Sequence, residues 1–414
     1  MITKLIAVIG VNFGDEGKGQ FVNNEIDPAY ADNYLVVRYN GGAQAGHTVE
    51  YNGMRHVFSH FGSGTLKGAR TYLTDAFICN PNVFFVERQE LLLKQCYPKI
   101  YISGNSRITT PFDVLWNRCL ETIRGSNQHG SVGLGINATI VRHKSIPFIV
   151  DSITNDYDLF VKTMEKIKKH YLNFSEKHPE ETKSFLSCVN EYKDINELYR
   201  SFYEKCLYMK NCAIQTIDLY DFLRSERRET TIIFEGAQGL QLTEQYGVMP
   251  YCTPTSCSVG NIEKQFSVYS SFYDKKCNTM DVYYLTRPYI TRHGAGPLPN
   301  EVSFEEISHF FNIVDTTNMP NDYQGSIRYA YMDPSKITSI VSNEASLLYT
   351  LIYGINSVRL NKEIVITCQD QLITTNVPII GSVNSPNWSS RFDYDFSPRE
   401  IINIDINALK SLLV

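Results

Sequence analysis

LIAVIGVNFGDEGKG, from Leu5 to Gly19, decides how the rest of the chain is read. Its first five residues, Leu5 to Ile9, form an unbroken apolar run, which predicts a strand buried on both faces, as in a parallel sheet. The run breaks into a glycine-rich turn in which Lys18 sits between Gly17 and Gly19. Such a turn brings backbone N–H groups close to an anion, and the lysine adds a point charge. The segment Gly14, Asp15, Glu16, Gly17, Lys18, Gly19, Gln20 is therefore expected to bind phosphate. The common phosphate-loop pattern has glycine six residues before the lysine, and Asn12 stands there instead. The loop also holds two carboxylates, Asp15 and Glu16. Acid beside a phosphate suits magnesium binding or proton removal.

A second strand and loop repeat the arrangement. YLVVRY, Tyr34 to Tyr39, runs into NGGAQAGHTV, Asn40 to Val49. Histidine is the side chain whose ordinary pKa lies nearest neutrality. His47 follows Gly46 at the carboxyl end of a strand, where open α/β sheets bind ligands, and Gln44 shares the loop. Further strand-like runs lie at Ile100 to Ser103, Ile232 to Phe234, Val282 to Leu285 and Glu363 to Thr367, with helical patterns between them. The expected fold is α/β: a mostly parallel central sheet flanked by helices, with a phosphate-loop-like nucleotide-binding architecture. The chain reads as one large domain over 1–414. Residues 154–228, rich in lysine, glutamate and tyrosine with few glycines, read as a helical insertion within it.

The bulk properties agree. A chain of 414 residues can bury a large core, and a net charge of −5 argues against a surface that coats nucleic acid. No stretch is long and apolar enough to span a membrane. The chain opens almost directly with a strand, so no signal peptide is expected. Ten cysteines lack metal-ligand spacing, Cys252 and Cys257 being the most suggestive pair. Thiols scattered this way point to a reducing, cytoplasmic setting.

Four separated segments carry a resemblance. GDEGKG from Gly14, GGAQAGHT from Gly41, FEGAQG from Phe234 and TRHGAGPLPNE from Thr291 resemble, in order, the GDEGKGK, GGxNAGHT, EGAQG and TRVGAGPFPTE segments of the adenylosuccinate synthetases. That family joins L-aspartate to IMP using GTP and magnesium. The resemblance implies a purine nucleoside monophosphate and L-aspartate as substrates, a nucleoside triphosphate with Mg2+, and a homodimer. A purine 6-oxygen is a poor leaving group until it is phosphorylated. The reaction then needs a base for the ring N1 proton, help at the oxygen, and cations at the transferring phosphoryl group. Asp15 suits the base and a metal contact, His47 the 6-oxygen, and Lys18 the phosphates. By resemblance the Gly46 carbonyl joins the magnesium shell, and Thr48 and Asn343 lie along the triphosphate site. Gln44, Ala45, Gln238 and Thr253 would contact the monophosphate. GSVGLGINA, Gly130 to Ala138, resembles GTTGRGIGPA, so Ser131 and Val132 replace two threonines. Arg142 lies near where the family sends an arginine across its dimer interface.

The departures concern specificity. The family's TGRRRRTGWLD becomes QGSIRYAYMD, Gln324 to Asp333, which keeps Arg328 alone and shifts aspartate binding toward Arg287 or Arg292. The guanine-reading TKxD motif corresponds to SNEAS, Ser342 to Ser346, where Ala345 replaces the aspartate. That makes ATP a candidate donor beside GTP. MPYCTPTSCS, Met249 to Ser258, is similar to phage relatives that make 2-aminoadenylosuccinate from dGMP. Those replace the loop aspartate with serine, whereas Asp15 is kept here. A nucleotide-binding homologue without activity is the other alternative.

Overall fold

The structure, a computed structural model, describes residues 2–176, 179–190, 194–266, 279–313, 324–344, 347–349, 357–368 and 388–389. The main sheet is built from β1 (Ile2–Gly10), β2 (Tyr34–Arg38), β3 (Arg70–Leu73), β4 (Ile100–Ser103), β5 (Ile214–Thr216), β6 (Thr230–Gly239), β7 (Thr279–Thr286), β8 (Leu347–Tyr349), β9 (Ser357–Ile366) and β10 (Trp388–Ser389). Among the described residues the strand order is β8-β9-β7-β1-β6-β2-β3-β4-β5, with β10 also paired to β9. Every pairing is parallel except β8 with β9. The expected α/β fold with a mostly parallel sheet is the one observed.

The alternation of the central strands explains their double burial. Leu5, Ala7 and Ile9 of β1 join Leu35, Val37, Ile232, Phe234, Val282 and Tyr284 in one core. Ile6 and Val8 point the other way, into a core shared with Val36, Ile233, Tyr283 and Leu285. That second face is covered by α1 (Lys18–Asn24), whose Phe21 and Val22 pack into it. Strands apolar at successive positions are what a sheet covered on both faces requires.

Two strands carry little sequence signal. In β3, Arg70 is fully buried, its charge paired with Glu226. The three-residue edge strand β5 belongs to the segment read as purely helical. Residues 154–228 do supply the helices Tyr157–Glu176, Pro179–Asn190, Ile195–Cys212 and Leu219–Ser225. Phe160, Met164, Tyr171, Phe185, Tyr199 and Phe202 from them form one core with Phe112 and Trp116 of the helix Pro111–Arg124. β5 then adds a ninth strand to the parallel-paired run, so this segment extends the sheet as well as flanking it. All nine described cysteines are free thiols.

Candidate active site

Both glycine-rich loops leave the sheet at its carboxyl edge, and β6 lies between their strands. Register fixes the geometry: Gly10 of β1 pairs with Gly239 of β6, and Arg38 of β2 pairs with Glu235 of β6. The segment FEGAQG is thus the wall between the loops. This is the edge at which parallel sheets present ligands.

The first loop is organised by its own acid. Glu16 is buried, and its carboxylate accepts the backbone N–H groups of Asn12 and Gly14, each at 3.0 Å. The Lys18 ammonium, also buried, donates to the same carboxylate at 2.6 Å. Two of these donors, the Gly14 N–H and Lys18, are ones the sequence assigns to a phosphate, and here they hold a carboxylate instead. Gly10 is needed here, because a Cβ at that position would lie 2.7 Å from the Lys18 Nζ. Asn12 has the role of a buried connector. It donates to Thr286 at 2.8 Å and accepts from the Gln241 side chain at 2.9 Å, which ties the loop to β7 and to the end of β6. Gln20 faces away from the loop's mouth and accepts the Glu50 N–H at 2.9 Å.

Asp15 is different. It takes a left-handed backbone, φ 60°, and remains about a quarter exposed. Burial pushes its carboxyl up, but the hydrogen bond and charge of His293, with Arg287 and Lys18 behind, outweigh it and hold the pKa down at about 2. The His293 Nε2 lies 2.7 Å from Asp15 Oδ2. His293 is absent from the sequence-derived site. It sits 278 residues away in the chain and replaces a valine within an otherwise familiar segment.

The second loop delivers His47 to the opposite side. His47 begins the hairpin strand His47–Tyr51, packed on α1 so closely that a Cβ at Gly19 would lie 2.9 Å from the His47 Cβ. Its Nδ1 donates to the Glu235 carboxylate at 2.6 Å, and Ser63 and its backbone N–H also donate to Glu235. Burial pushes Glu235 up, but His47 and Arg38 prevail and hold it at about 2, so it is ionised. Burial depresses His47, with the Arg38 charge adding to the effect against the pull of Glu235. The histidine is oriented by a carboxylate that sequence reading did not assign, although Glu235 lies inside the quoted FEGAQG segment.

Buried side-chain atoms without a partner occur in several parts of the described molecule, and three of them, His47 Nε2, Gln44 Oε1 and Gln238 Oε1, lie on the loops and strand around β6. Gln238 is held with φ 64°, and Asn40 brackets the preceding residue through both the N–H and C=O of Ala237. A lone hydroxyl or amide buried unpaired costs a few kcal/mol, about 1–3, so three together argue for a ligand that pairs them. Ala45 is buried, Gly46 is exposed, and Thr48 is half-buried on the hairpin. Ser131 accepts from Asn117 at 3.0 Å, and neighbouring Val132 is half-buried. Gly130 abuts the loop that carries His293, since a Cβ there would lie 2.6 Å from the Ala295 nitrogen. Thr253 is buried, its hydroxyl 3.1 Å from that of Thr255.

The arginines do not behave as the sequence suggests. Arg142 is fully buried and paired with Asp113 at 2.9 Å, with Ile108 and Ile146 carbonyls accepting its other donors. Asp113 also closes the capping box with Thr110 at the start of the helix Pro111–Arg124, so helix and ion pair share one carboxylate. In the single chain Arg142 is enclosed and does not project from the molecule. Arg292 is 3% exposed and donates to the carbonyls of Ala295, Pro297 and Tyr251 while lying over the Phe13 ring. Arg328 donates to Glu301 and to the carbonyls of Gly294 and Gly296. Both brace the loop that carries His293.

Asn343 is exposed at the end of the helix Pro334–Asn343, and Ala345 lies outside the described residues. Glu344 is buried and accepts from Tyr246, Ser258 and the Val259 N–H at 2.9–3.0 Å. Among the described residues, no cluster of three or more His, Cys, Asp or Glu is arranged to hold a metal. Magnesium does not require one, since it keeps waters and substrate phosphates in its shell beside one or two carboxylates. The partly exposed Asp15 carboxylate and the exposed Gly46 carbonyl are hard oxygen donors of the right kind.

Comparison with known proteins adds the following. The family model described as adenylosuccinate synthetase matches residues 7–317. The adenylosuccinate synthetase of Parabacteroides distasonis is 26% identical over 308 residues, 73% of this chain and 67% of that protein. That of Leuconostoc mesenteroides is 28% identical over 318 residues, 75% of this chain and 69% of that protein. The chain thus matches about two thirds of the length of these relatives. The fully ligated adenylosuccinate synthetase structure from Plasmodium falciparum superposes with a TM-score of 0.62 at 19% identity, over 87% of this chain and 76% of that one. A cyanophage S-2L succinoaminodeoxyadenylate synthetase, bound to dGMP and to dATP as an energy donor, gives 0.58 at 14% identity, over 91% and 87%.

Proposed function

The chain belongs to the adenylosuccinate synthetase family, and we propose that it is a purine nucleotide–aspartate ligase. In this reading it phosphorylates the 6-oxygen of IMP or dIMP with a nucleoside triphosphate, and the L-aspartate amine then displaces the phosphate. One observation carries the reading above the others. Asp15 and His47, on two loops flanking β6, accompany orphaned polar atoms on Gln44, Gln238 and His47 itself. Three buried polar atoms left unpaired on these loops suit a polar ligand, which favours a working site over an inactive relative.

Asp15 accepts the N1 proton, its carboxylate ionised because His293 stabilises the charged form. His47, oriented by Glu235, presents Nε2 to the 6-oxygen. Each is worth roughly a hundredfold or more in rate. Gln238 and Gln44 supply amide oxygens to the monophosphate nucleotide, with Ser131, Val132 and Thr253 on the walls beside them. Lys18 and the backbone of Gly14, Glu16, Gly17 and Gly19 serve the phosphates once Glu16 yields them. Asp15 and the Gly46 carbonyl would hold magnesium, which supplies charge neutralisation at the transferring phosphoryl group.

For the donor, the only carboxylate near the expected guanine-reading position among the described residues is Glu344, and it is committed to Tyr246, Ser258 and Val259. ATP is therefore favoured as strongly as GTP. A second reading, 2-aminoadenylosuccinate formation from dGMP, is favoured by the likeness of Met249 to Ser258 to the phage enzymes and opposed by Asp15. One experiment tests the whole. Purified protein with aspartate and magnesium is given ATP or GTP against IMP, dIMP, GMP and dGMP, and products are read by mass spectrometry. A succinylated purine nucleotide is expected. Nucleotide binding without any such product would establish the inactive homologue instead.

A further inference from the structure

Arg38 is a buried cation that the proposed chemistry leaves unused. It ends β2, is fully buried, and is the register partner of Glu235 on β6, so the two side chains leave neighbouring strands on the same face of the sheet. Its hydrogen bonding is sparse. Nη1 donates to the Phe61 carbonyl at 3.3 Å, while Nε and Nη2 have no partner. Arg142 and Arg292, by contrast, spend their donors on carboxylate and carbonyl oxygens. A guanidinium withdrawn from water for one long hydrogen bond is not explained by that bond. What it brings is charge. Two buried carboxylates act on it: Glu235, and Glu87, which accepts the N–H groups of Ser59, His60 and Phe61 at 2.7–3.2 Å. Burial pushes the Arg38 guanidinium down, and the charges of those two carboxylates push it back up.

We propose that Arg38 is a positioning residue, whose charge fixes the Glu235 carboxylate as the acceptor of the His47 ring and so aims His47 Nε2 at the substrate. The inference rests on the reading of His47 as the group that meets the purine 6-oxygen. Glu235 is fully buried, and among the described residues its donors are Ser63 Oγ, the Ser63 N–H and His47 Nδ1, none of them a permanent charge. A carboxylate closed off from water among neutral donors takes up a proton, and it then competes to donate where it should accept. A permanent cation on the adjacent strand prevents this, and arginine is the side chain that does not give its proton up. The bond to Phe61 is a second contact. The Phe61 peptide is gripped on both sides, its carbonyl by Arg38 and its N–H by Glu87, two residues before the Ser63 that holds Glu235. Charge and contact are separable by substitution.

The test compares two variants with different losses. Arg38→Lys keeps a charge. Arg38→Gln keeps a side-chain N–H for the Phe61 carbonyl and loses the charge. The first readout is the His47 Nδ1–H proton resonance in protein labelled with 15N-histidine, assigned among the nine histidines by its absence in His47→Ala. The second is kcat and KM for IMP with saturating aspartate, magnesium and ATP. Arg38→Gln is expected to shift the resonance and to lower kcat by about tenfold to a hundredfold, with KM within about threefold of wild type. Arg38→Lys should keep the resonance and stay within about fivefold of the wild-type kcat. In a Glu235→Gln background, Arg38→Gln should cost less than about twofold more, since the carboxylate it serves is gone. A glutamine variant as active as the lysine one, or a loss undiminished in the Glu235→Gln background, overturns the inference. Where Arg38→Gln does not fold, Arg38→Lys decides: a kcat near wild type supports the role of the charge, and a fall of more than about tenfold overturns it. If wild type forms no product, the ligase reading fails by itself. The resonance then decides on Arg38 alone, and an unchanged signal in Arg38→Gln removes its role.

Discussion

The two glycine-rich loops and three buried or braced arginines use polar groups in opposite ways. Around β6, the loop residues leave polar atoms without protein partners: His47 Nε2, Gln44 Oε1 and Gln238 Oε1 are buried and unpaired. Three arginine side chains, by contrast, have their donors taken up. Arg142 closes on Asp113, Arg292 on three carbonyls, and Arg328 on Glu301 and two carbonyls. A group reserved for a ligand is recognised by what the protein leaves undone. By that measure these three arginines are committed to the frame, while Arg287 is one of the cations whose charge acts on Asp15.

The strongest way to break this comparison is at Asp15. Asp15→Asn keeps the size and the left-handed turn, a conformation asparagine tolerates, but removes the proton acceptor. Turnover should fall by roughly a hundredfold to ten-thousandfold, with monophosphate affinity within a few-fold of wild type. Steady-state kinetics beside calorimetry checks it, and a variant retaining a tenth or more of the activity removes Asp15 from the chemistry.

Arg142 tests the frame. Arg142→Ala leaves Asp113 as an uncompensated buried charge, and removing one partner of such a pair costs about 3–5 kcal/mol. Denaturant unfolding should show that loss in the isolated protein. Mixing this variant with one disabled at Asp15 should yield no recovery of activity. Recovery on mixing would mean that Arg142 reaches a neighbouring subunit's site, and the arginine would move from frame to site.

Glu235 lies on the boundary between the two regions, a fully buried group that serves the site by holding a histidine. Glu235→Gln is expected to lower kcat by about tenfold to hundredfold while leaving KM for the monophosphate nearly unchanged. Paired with His47→Ala, the double variant should be no slower than His47→Ala alone, because both changes remove one function. Additive losses would separate Glu235 from His47.

How much of this was legible in the sequence follows the same division. β1, β2, β6 and β7 were readable because each is a run of apolar residues covered on both faces. Both glycine loops were readable because backbone approach to an anion demands glycine at short spacing. β3 was not, since its first residue is a buried arginine satisfied by Glu226, 156 positions away. β5 was hidden by its length of three residues inside a helical stretch. Glu235 and His293 share a different obstacle. Each meets a partner far off in the chain, 188 and 278 residues distant, and no local periodicity encodes a contact made where separate strands end. The arginines show the converse: a lone arginine in sequence looks available, and the fold reveals the carboxylates and carbonyls that accept from it.

The smallest expected effect concerns the phosphoryl donor. A guanine-reading carboxylate has to face the base and accept from N1–H and the 2-amino group. Glu344 instead accepts from Tyr246, from Ser258 and from the Val259 N–H, and it is 3% exposed. Its backbone carbonyl and that of Val341 hold Lys362, so the residue anchors the end of the helix Pro334–Asn343 on both sides of its peptide. Removing it should therefore weaken the fold more than it alters the choice of base. Glu344→Ala is expected to lower the melting temperature by several degrees, as loss of a buried acceptor shared by three donors does at about 1–3 kcal/mol. The ratio of kcat/KM for GTP over ATP should stay within about threefold of the wild-type ratio, itself near one, because no contact pair worth tenfold was present to lose. A wild type that prefers GTP by more than about tenfold, with that preference abolished in Glu344→Ala, would show the carboxylate turning out to the base when nucleotide binds. Glu344 would then belong with the loops, and the line between site and frame would pass through the end of this helix.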